Sequence, residues 1–407
     1  MKTRRRKLLE DRQTIVGRSN ADENSSPMPN DLMYEIFLRL SPKYIARCRC
    51  VSKLWSSILD HQDFTDQFLK QSSLRPRLLF VCLYGSKVSF FSSPQPQNPD
   101  ENTPPTTASH HMSLHLNDVY QIHSPISGLV GIGDFSILNG RKRPATTSVI
   151  CNPSTGQSCT LPRIKTRKKH EMRSFFGYDP VGKQFKVLSM TLSHGNAISE
   201  EHHVLTLETG KLSWRLIECC VPHHPEHESV CIDGVLYYRA APNMSSSMDE
   251  FMIVCFDFRS EKFSFIKATE PGEVHRVPSL NLINYKGKLA SLKPNGSNYF
   301  SRENTSFEMW VLDDLEKKEW SKHSYPLPPQ WQSVVPNYIL KCVGVTGSNE
   351  IVFSEDIPSN PFYVFYYSLE KETIRRVEIQ GMGGYLKHRL YTFLNHVENV
   401  KVMKDVL

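Results

Sequence analysis

From about residue 76 onward the chain repeats one local pattern: an apolar strand, a turn of Asn, Asp, Ser, Pro or Gly, and a second strand of alternating aromatic or aliphatic residues. The pattern occurs at Val149-Ile150-Cys151-Asn152-Pro153-Ser154-Thr155-Gly156, Leu205-Thr206-Leu207-Glu208-Thr209-Gly210, Val254-Cys255-Phe256-Asp257, Trp310-Val311-Leu312-Asp313-Asp314 and Phe365-Tyr366-Tyr367-Ser368-Leu369-Glu370. From turn to turn (152, 208, 257, 313, 368) the intervals are 56, 49, 56 and 55 residues. A second hairpin type alternates with the first, marked by Gly128, Gly182, Gly234, Gly287 and Asn349, at intervals of 54, 52, 53 and 62. A further hairpin of the first type is placed at Gly85. Its 67-residue step to Asn152 shrinks to 47 once the 20 residues 92–111 are set aside.

Two hairpins per period make four strands per unit. A lone four-stranded sheet cannot cover both of its faces, so the units must stack. Radial stacking leaves only short, protected edges. The expectation for 76–400 is therefore an all-β domain, a β-propeller of about six four-stranded blades, with an open solenoid of sheets as the alternative. The stretch 92–111, with prolines at 94, 96, 99, 104 and 105, reads as a flexible insert.

A formal charge of +7 is compatible with nucleic-acid binding, but its distribution argues otherwise. Residues 1–20 carry seven Lys/Arg against Glu10 and Asp11, a net +5, which leaves +2 for the other 387 residues. The positive charge belongs to a polar, disordered tail (1–27) and not to a folded face, so neither DNA nor RNA is an expected partner. Arg4-Arg5-Arg6-Lys7 reads either as a nuclear import signal or as solvated tail. Apolar runs such as Leu78–Tyr84 fall far short of the ~20 residues of a membrane span, and no apolar segment follows Met1–Arg6 to make a secretory leader. The ten cysteines form no C-x-x-C pair, which fits a reducing compartment, nucleus and/or cytoplasm.

Between residues 28 and 71 the texture is helical. Asn30 and Asp31 suit a helix start, and Ser41-Pro42 suits the next one. Met33, Ile36, Phe37 and Leu40 follow i, i+3, i+4, i+7, a single stripe to bury, yet Leu32, Tyr34 and Leu38 are apolar too. Val51, Leu54, Trp55, Ile58 and Leu59 repeat the spacing, with Ile45 and Cys48 between. Some forty residues cannot build an adequate core alone. The surplus is satisfied either by the β domain or by a second protein.

The run Met28-Pro29-Asn30-Asp31-Leu32-Met33-Tyr34-Glu35-Ile36-Phe37-Leu38-Arg39-Leu40, followed by Ile45-Ala46-Arg47-Cys48-Arg49-Cys50-Val51-Ser52-Lys53-Leu54-Trp55, resembles a plant F-box. Ser72-Ser73-Leu74-Arg75-Pro76-Arg77, Cys151-Asn152-Pro153-Ser154-Thr155-Gly156 and Phe176-Gly177-Tyr178-Asp179-Pro180 extend the likeness to the plant family with a type 3 F-box-associated domain. The resemblance implies a three-helix F-box (28–71) ahead of the propeller, in a substrate-recognition subunit of a Skp–cullin–F-box ubiquitin ligase. It implies docking on a Skp-type adaptor through Pro29, Leu32, Ile36, Leu40, Ile45, Val51 and Trp55, with cullin and RING subunits joined indirectly and the β domain holding a target protein. It implies no catalytic residue, no cofactor and no metal. The competing functions are an adaptor-bound scaffold without ligase activity and a propeller that binds a small ligand or glycan.

Two local patterns suggest other chemistry. Gly177-Tyr178-Asp179-Pro180-Val181-Gly182-Lys183-Gln184 nearly matches a phosphate-binding loop, but Gln184 replaces the hydroxyl that would hold Mg²⁺ and Pro180 removes an N–H donor; a hairpin turn is the expectation. Cys219, His223, His227 and Cys231 stand four apart like zinc ligands, but Pro222 and Pro225 exclude the helix that this spacing would need. A polar loop between blades is the expectation there, with a loop that gathers Cys219, His223, His227 and Cys231 around a tetrahedral Zn²⁺ as the alternative. Neither the loop 219–231 nor the stretch 92–111 is singled out as a recognition element by more than exposure.

Overall fold

The computed structural model describes residues 28–97, 103–136, 145–165, 171–192, 198–207, 212–242, 251–267, 281–297 and 299–403. The chain divides into two compact units, Met1–Arg39 and Leu40–Leu407. The tail 1–27 with its Arg4–Lys7 run lies outside the described residues, as does the turn at 208–210.

The first unit contributes α1 (Asn30–Leu38). Pro29 takes the position before the helix and its carbonyl accepts from the N–H groups of Leu32 and Met33, while Asp31 sits in the first turn where the helix dipole favours a carboxylate. Asn30 is thus the first helical residue and not the cap. Met33, Phe37 and Leu38 are buried, whereas Leu32 and Ile36 face solvent. The expected single stripe is therefore split: 33 and 37 define one face, 32 and 36 the neighbouring one.

The second unit opens with α2 (Pro42–Arg49), α3 (Lys53–Leu59) and α4 (Gln62–Ser73). Pro42 starts α2 where its missing N–H costs nothing, and Ser52 caps α3 by accepting from the Trp55 N–H at 3.2 Å. Ile45, Leu59, Phe64 and Phe68 are buried.

A ring of six sheets follows. The strands are β1 (Arg77–Tyr84), β2 (Lys87–Pro94), β3 (Thr106–Thr107), β4 (Ser109–His115), β5 (Val119–Ile122), β6 (Val130–Ser136), β7 (Ala145–Asn152), β8 (Gln157–Thr160), β9 (Glu171–Asp179), β10 (Gln184–Leu192), β11 (Ser199–Leu207) and β12 (Arg215–Ile217). They continue as β13 (His224–Ile232), β14 (Val235–Ala241), β15 (Met252–Asp257), β16 (Lys262–Lys267), β17 (Leu282–Tyr285), β18 (Lys288–Pro294), β19 (Ser306–Asp314), β20 (Glu319–Pro326), β21 (Leu340–Val345), β22 (Glu350–Glu355), β23 (Phe362–Ser368), β24 (Thr373–Gln380) and β25 (Arg389–His396). A short helix, α5 (Trp331–Val334), joins β20 to β21.

Blades two to six are the consecutive quartets β5–β8, β9–β12, β13–β16, β17–β20 and β21–β24. Blade one is closed by the last strand, in the order β25-β1-β2-β4, so both ends of the chain's β region share one sheet. The architecture is a six-bladed propeller of four-stranded blades, with β3 added in parallel to the outer edge of β24.

Within each blade the strands, from the axis outward, can be lettered A to D. A–B turns at Ser127-Gly128, Asp233-Gly234 and Lys286-Gly287 place two consecutive residues at positive φ, the two-residue turn whose twist matches a hairpin. The C–D turns start on Asn152, Asp257, Asp314 and Ser368 and reach the left-handed region four residues later, at Gly156, Glu261, Lys318 and Glu372. Asn152, Asp257 and Asp314 each accept a backbone N–H two residues on, the Asx geometry that makes these residue types recur. Gly85 breaks the series. It joins β1 to β2, a B–C turn, because strand A of its blade arrives from the far end of the chain.

Every blade buries both faces. Six apolar clusters fill the interfaces around the ring, from Leu79, Phe90 and Ile132 between blades one and two to Leu78, Phe80 and Tyr366 between blades six and one. Between blades three and four Lys186, nearly fully buried, reaches the Phe258 carbonyl at 2.7 Å and Glu261 Oε1 at 2.9 Å. The stretch read as a flexible insert contributes to the sheets at both ends: 92–94 complete β2, and Thr106–Thr107 and Ser109–His115 are strands, while 98–102 lie outside the described residues. Pro94 closes β2, and Pro104 and Pro105 precede β3, where no ladder N–H is required.

Candidate functional site

Antiparallel strands put the A–B and C–D turns at one end of the ring, and the B–C turns and blade-to-blade connections at the other. The chain leaves α4 to enter β1, a B strand, from the A–B end. The helices of the second unit and the segment after β25 therefore meet at that end.

Their junction is polar and specific. Arg49, the last residue of α2, pairs with Asp60 at 2.9 Å and donates from Nη2 to the carbonyls of Leu59 (3.1 Å) and Val400 (2.8 Å). The Glu398 N–H donates to Ser72 Oγ on α4 at 2.7 Å. Beyond it, the fully buried Asn152 donates from Nδ2 to the carbonyls of Asn399 (2.9 Å) and Lys401 (3.1 Å). Asn399 in turn donates to the Ser127 carbonyl, and the Met403 N–H to Gln157 Oε1. Residues 398–403 are thus a strap that ties α2 and α4 to the turns of blade two. No sequence motif marked this segment, because what it offers to the side chains that hold it is mostly backbone groups.

The residues expected at the adaptor interface are placed unequally. In the first unit Pro29, Leu32 (51% exposed) and Ile36 point to solvent. In the second, Val51 is 62% exposed, Leu40 and Trp55 are half-buried, and Ile45 is fully buried. Ile45 is core, reached by no partner without opening the helices. Leu54 and Tyr44, absent from the expected set, are exposed. An i, i+3 step from Val51 to Leu54 was the available signal.

At the opposite end of the ring is a cavity of about 710 Å³. Its walls are the B–C connection of blade five (Tyr299–Ser301, Glu303), the connection from blade five to blade six (Asn337–Leu340) and the B–C turn of blade six (Glu355–Ile357). A second cavity, about 360 Å³, follows the axis along β5, β13, β17, β21 and β25.

The near-match to a phosphate loop is a turn. Asp179 Oδ1 accepts from the N–H groups of Val181 and Gly182, each at 3.0 Å, so those donors are consumed internally and a carboxylate occupies the place of an anion. The His227 side chain lies outside the described residues; among those described, Cys219 and His223 of the zinc-like quartet come together with His202, their ligand-capable atoms within 4.8 Å of one another. The His223 ring nitrogens already lie 2.8 Å from the Val221 carbonyl and 2.8 Å from the Tyr238 hydroxyl. Burial pushes the pKa of His202 down to about 3, so it is a neutral core imidazole.

Comparison with known proteins separates the helices from the ring of sheets. Residues 26–67 match the family described as F-box domain, and residues 77–397 the family described as F-box associated beta propeller domain. F-box protein DOR of Arabidopsis thaliana is 54% identical over 403 residues, covering 99% of this chain and 100% of its own length. F-box protein At5g65850 of the same plant is 45% identical and covers 100% of both chains. Among solved structures, a Penicillium chrysogenum alpha-L-arabinanase covers 71% of this chain and 94% of its own at 8% identity, with a TM-score of 0.42.

Proposed function

The chain belongs to the plant F-box proteins that carry an F-box-associated β-propeller, and from that premise we propose that it is the substrate-recognition subunit of a Skp–cullin–F-box ubiquitin ligase. The observation that carries this reading is the exposure of Leu32 and Ile36 on α1, and of Val51 and Leu54 around the start of α3, while Met33, Phe37, Ile45 and Leu59 are buried. Short helices that hold bulky apolar side chains in water are incomplete until a partner covers them. A Skp-type adaptor is that partner, gripping Pro29, Leu32 and Ile36 in the first unit and Val51, Trp55 and the added Leu54 in the second. Leu40 and Ile45 support these surfaces from beneath.

Cullin and RING subunits join through the adaptor, and the propeller holds the target. No residue of this chain does chemistry in this scheme. Its contribution is proximity: tethering raises the effective concentration of a target lysine at the ubiquitin thioester. The rigid strap 398–403 suits that task, since a fixed bridge from helices to ring limits the volume a bound target explores. The protein acts inside the cell, in nucleus or cytoplasm, and none of the described helices is long and apolar enough to cross a membrane.

The test is binding of the purified full chain to a Skp-type adaptor. The double variant Leu32→Ala/Val51→Ala should lose at least about tenfold in affinity with an unchanged melting temperature, because both side chains lie on the surface. Unimpaired binding by the double variant would overturn the reading.

A further inference from the structure

Resting on that reading, we infer that the 710 Å³ cavity is the target-binding site and that it takes a short, basic and apolar segment of the target protein. Three features of the cavity carry the inference: its rigidity, its apolar rim and the sign of its unpaired charge.

The walls are prebuilt. Phe300 is fully buried, its ring centroid 4.7 Å from that of Phe353, and its carbonyl accepts the Leu340 N–H at 2.8 Å, which locks two of the three wall segments together. Trp331 of α5, also fully buried, donates from Nε1 to the Ser301 carbonyl at 2.8 Å and packs edge-on against Phe353 of β22, the strand that leads into the third wall. A site that is already formed loses little entropy when a ligand enters, and this volume lies within the ~300–1,000 Å³ usual for ligand sites.

The rim is apolar and wet. Tyr338 and Ile357 are 60% and 61% exposed, and Tyr299 and Ile339 are more than half exposed. These four side chains face one opening, set on a framework whose other large side chains are packed away. Aromatic and aliphatic groups gathered at one mouth favour a ligand with apolar side chains of its own.

The charge at the mouth is negative. Lys341 is the cation in the wall, and its Nζ is committed to Asp356 at 2.9 Å, whose other oxygen has Arg389 at 3.9 Å. Glu355 spends its carboxylate on the Ser359 N–H and hydroxyl. Glu303 is exposed and no ion pair reaches it among the described residues; Glu228 has no ion pair there either, but burial, against the pull of Lys341 and Arg239, pushes its carboxyl up to about 7, so it is only partly ionised near neutral pH. An apolar mouth flanked by the Glu303 carboxylate and a partly ionised Glu228 selects Lys or Arg beside Leu, Ile or an aromatic residue, and repels an acidic segment. It lies at the end of the ring opposite α2–α4 of the second unit.

Random dodecapeptides displayed on phage and selected on the adaptor-bound full chain give the test. The expected result is enrichment of Lys or Arg next to bulky apolar residues. A synthetic peptide of the selected sequence should lose at least about tenfold in affinity against Tyr338→Asp or Ile357→Asp, and Glu228→Lys/Glu303→Lys should invert the preference toward acidic peptides. Both sets of substitutions lie on the surface and should leave melting unchanged. Acidic or uncharged consensus sequences, no enrichment at all, or affinities indifferent to these variants would overturn the assignment. Adaptor binding is scored separately, so a failed peptide selection with intact adaptor binding rejects the site and not the ligase role.

Discussion

Asn152 and Asn399 are joined side chain to main chain: the Asn152 amide, fully buried at a C–D turn, donates at 2.9 Å to the Asn399 carbonyl in the segment that follows the last strand. The same amide reaches Lys401, while its oxygen holds the Ser154 N–H and so shapes its own turn. One side chain thus satisfies the turn and the strap together. Gly128 supplies the clearance, since a Cβ there would stand 2.6 Å from Asn399 Cβ.

Asn152→Ala leaves two strap carbonyls without their donor, and the expected cost is about 2–3 kcal/mol. Asn152→Asp should be at least as damaging despite identical size, because a carboxylate cannot donate and faces two carbonyl oxygens. Urea midpoints of the three proteins decide this. Equal midpoints for wild type and Asn152→Asp would show that the strap is not held in this way.

The Asn-Pro-Ser-Thr-Gly run was legible as a turn, but not as an anchor. Periodicity reports strands and turns because they are local; the strap is held by side chains about 250 to 350 residues away in sequence, and what it offers them is mainly backbone groups that any residue carries. The same blindness explains Gly85. Its hairpin has the right residues for the recurring turn, and only the return of β25 to the first sheet shifts it from C–D to B–C. The blade number was unaffected, because the ring still needs the same count of strands. In the helices, spacing alone placed Ile36 and Phe37 in one stripe, and adjacent positions about 100° apart cannot be separated without knowing what packs where.

Gly177, within Phe176-Gly177-Tyr178-Asp179-Pro180, shows why that motif carries a glycine. A Cβ at Gly177 would lie 1.8 Å from Cε2 of Phe258, a fully buried ring of the next blade. Gly177→Ala should therefore cost about 1–3 kcal/mol by overpacking. Phe258→Leu in the same chain should return part of that loss, so the double-mutant cycle is expected to show coupling of the order of 1 kcal/mol. Strict additivity in thermal or urea unfolding would place the ring elsewhere.

Ile45 and Leu32 separate folding from docking. Ile45 is fully buried, and Ile45→Ala should destabilise by about 2–4 kcal/mol through the cavity it opens. Leu32→Ala should stay within about 0.5 kcal/mol of wild type while weakening adaptor affinity. Melting curves and adaptor titrations on the two variants should give opposite orders. The same order in both measurements would mean that Leu32 is part of the core.

His396, the last residue of β25, is almost completely buried, and neither ring nitrogen has a hydrogen-bond partner among the described residues. Burial, followed by the nearby His111 and Arg77, pushes its pKa down to about 3. Arg77 itself stands 3.7 Å from Glu398, so the local field is not purely positive, yet the direction is set by desolvation. In the unfolded chain the imidazole returns to about 6.5. Between these values the unfolded state binds a proton that the folded state refuses. The stability tied to a neutral His396 is therefore complete above about pH 6.5 and falls by up to ~1.4 kcal/mol for each pH unit below it. His111, lowered to about 4 by burial, Arg77 and His110, acts in the same direction. Raised carboxyls such as Glu355 and Glu398 work the other way, so the proof lies in a difference. His396→Leu removes one titration, and its stability relative to wild type should improve by about 2 kcal/mol between pH 7.5 and pH 5, read from urea midpoints. A relative stability that does not change with pH would mean that the imidazole is solvated or already charged in the folded protein.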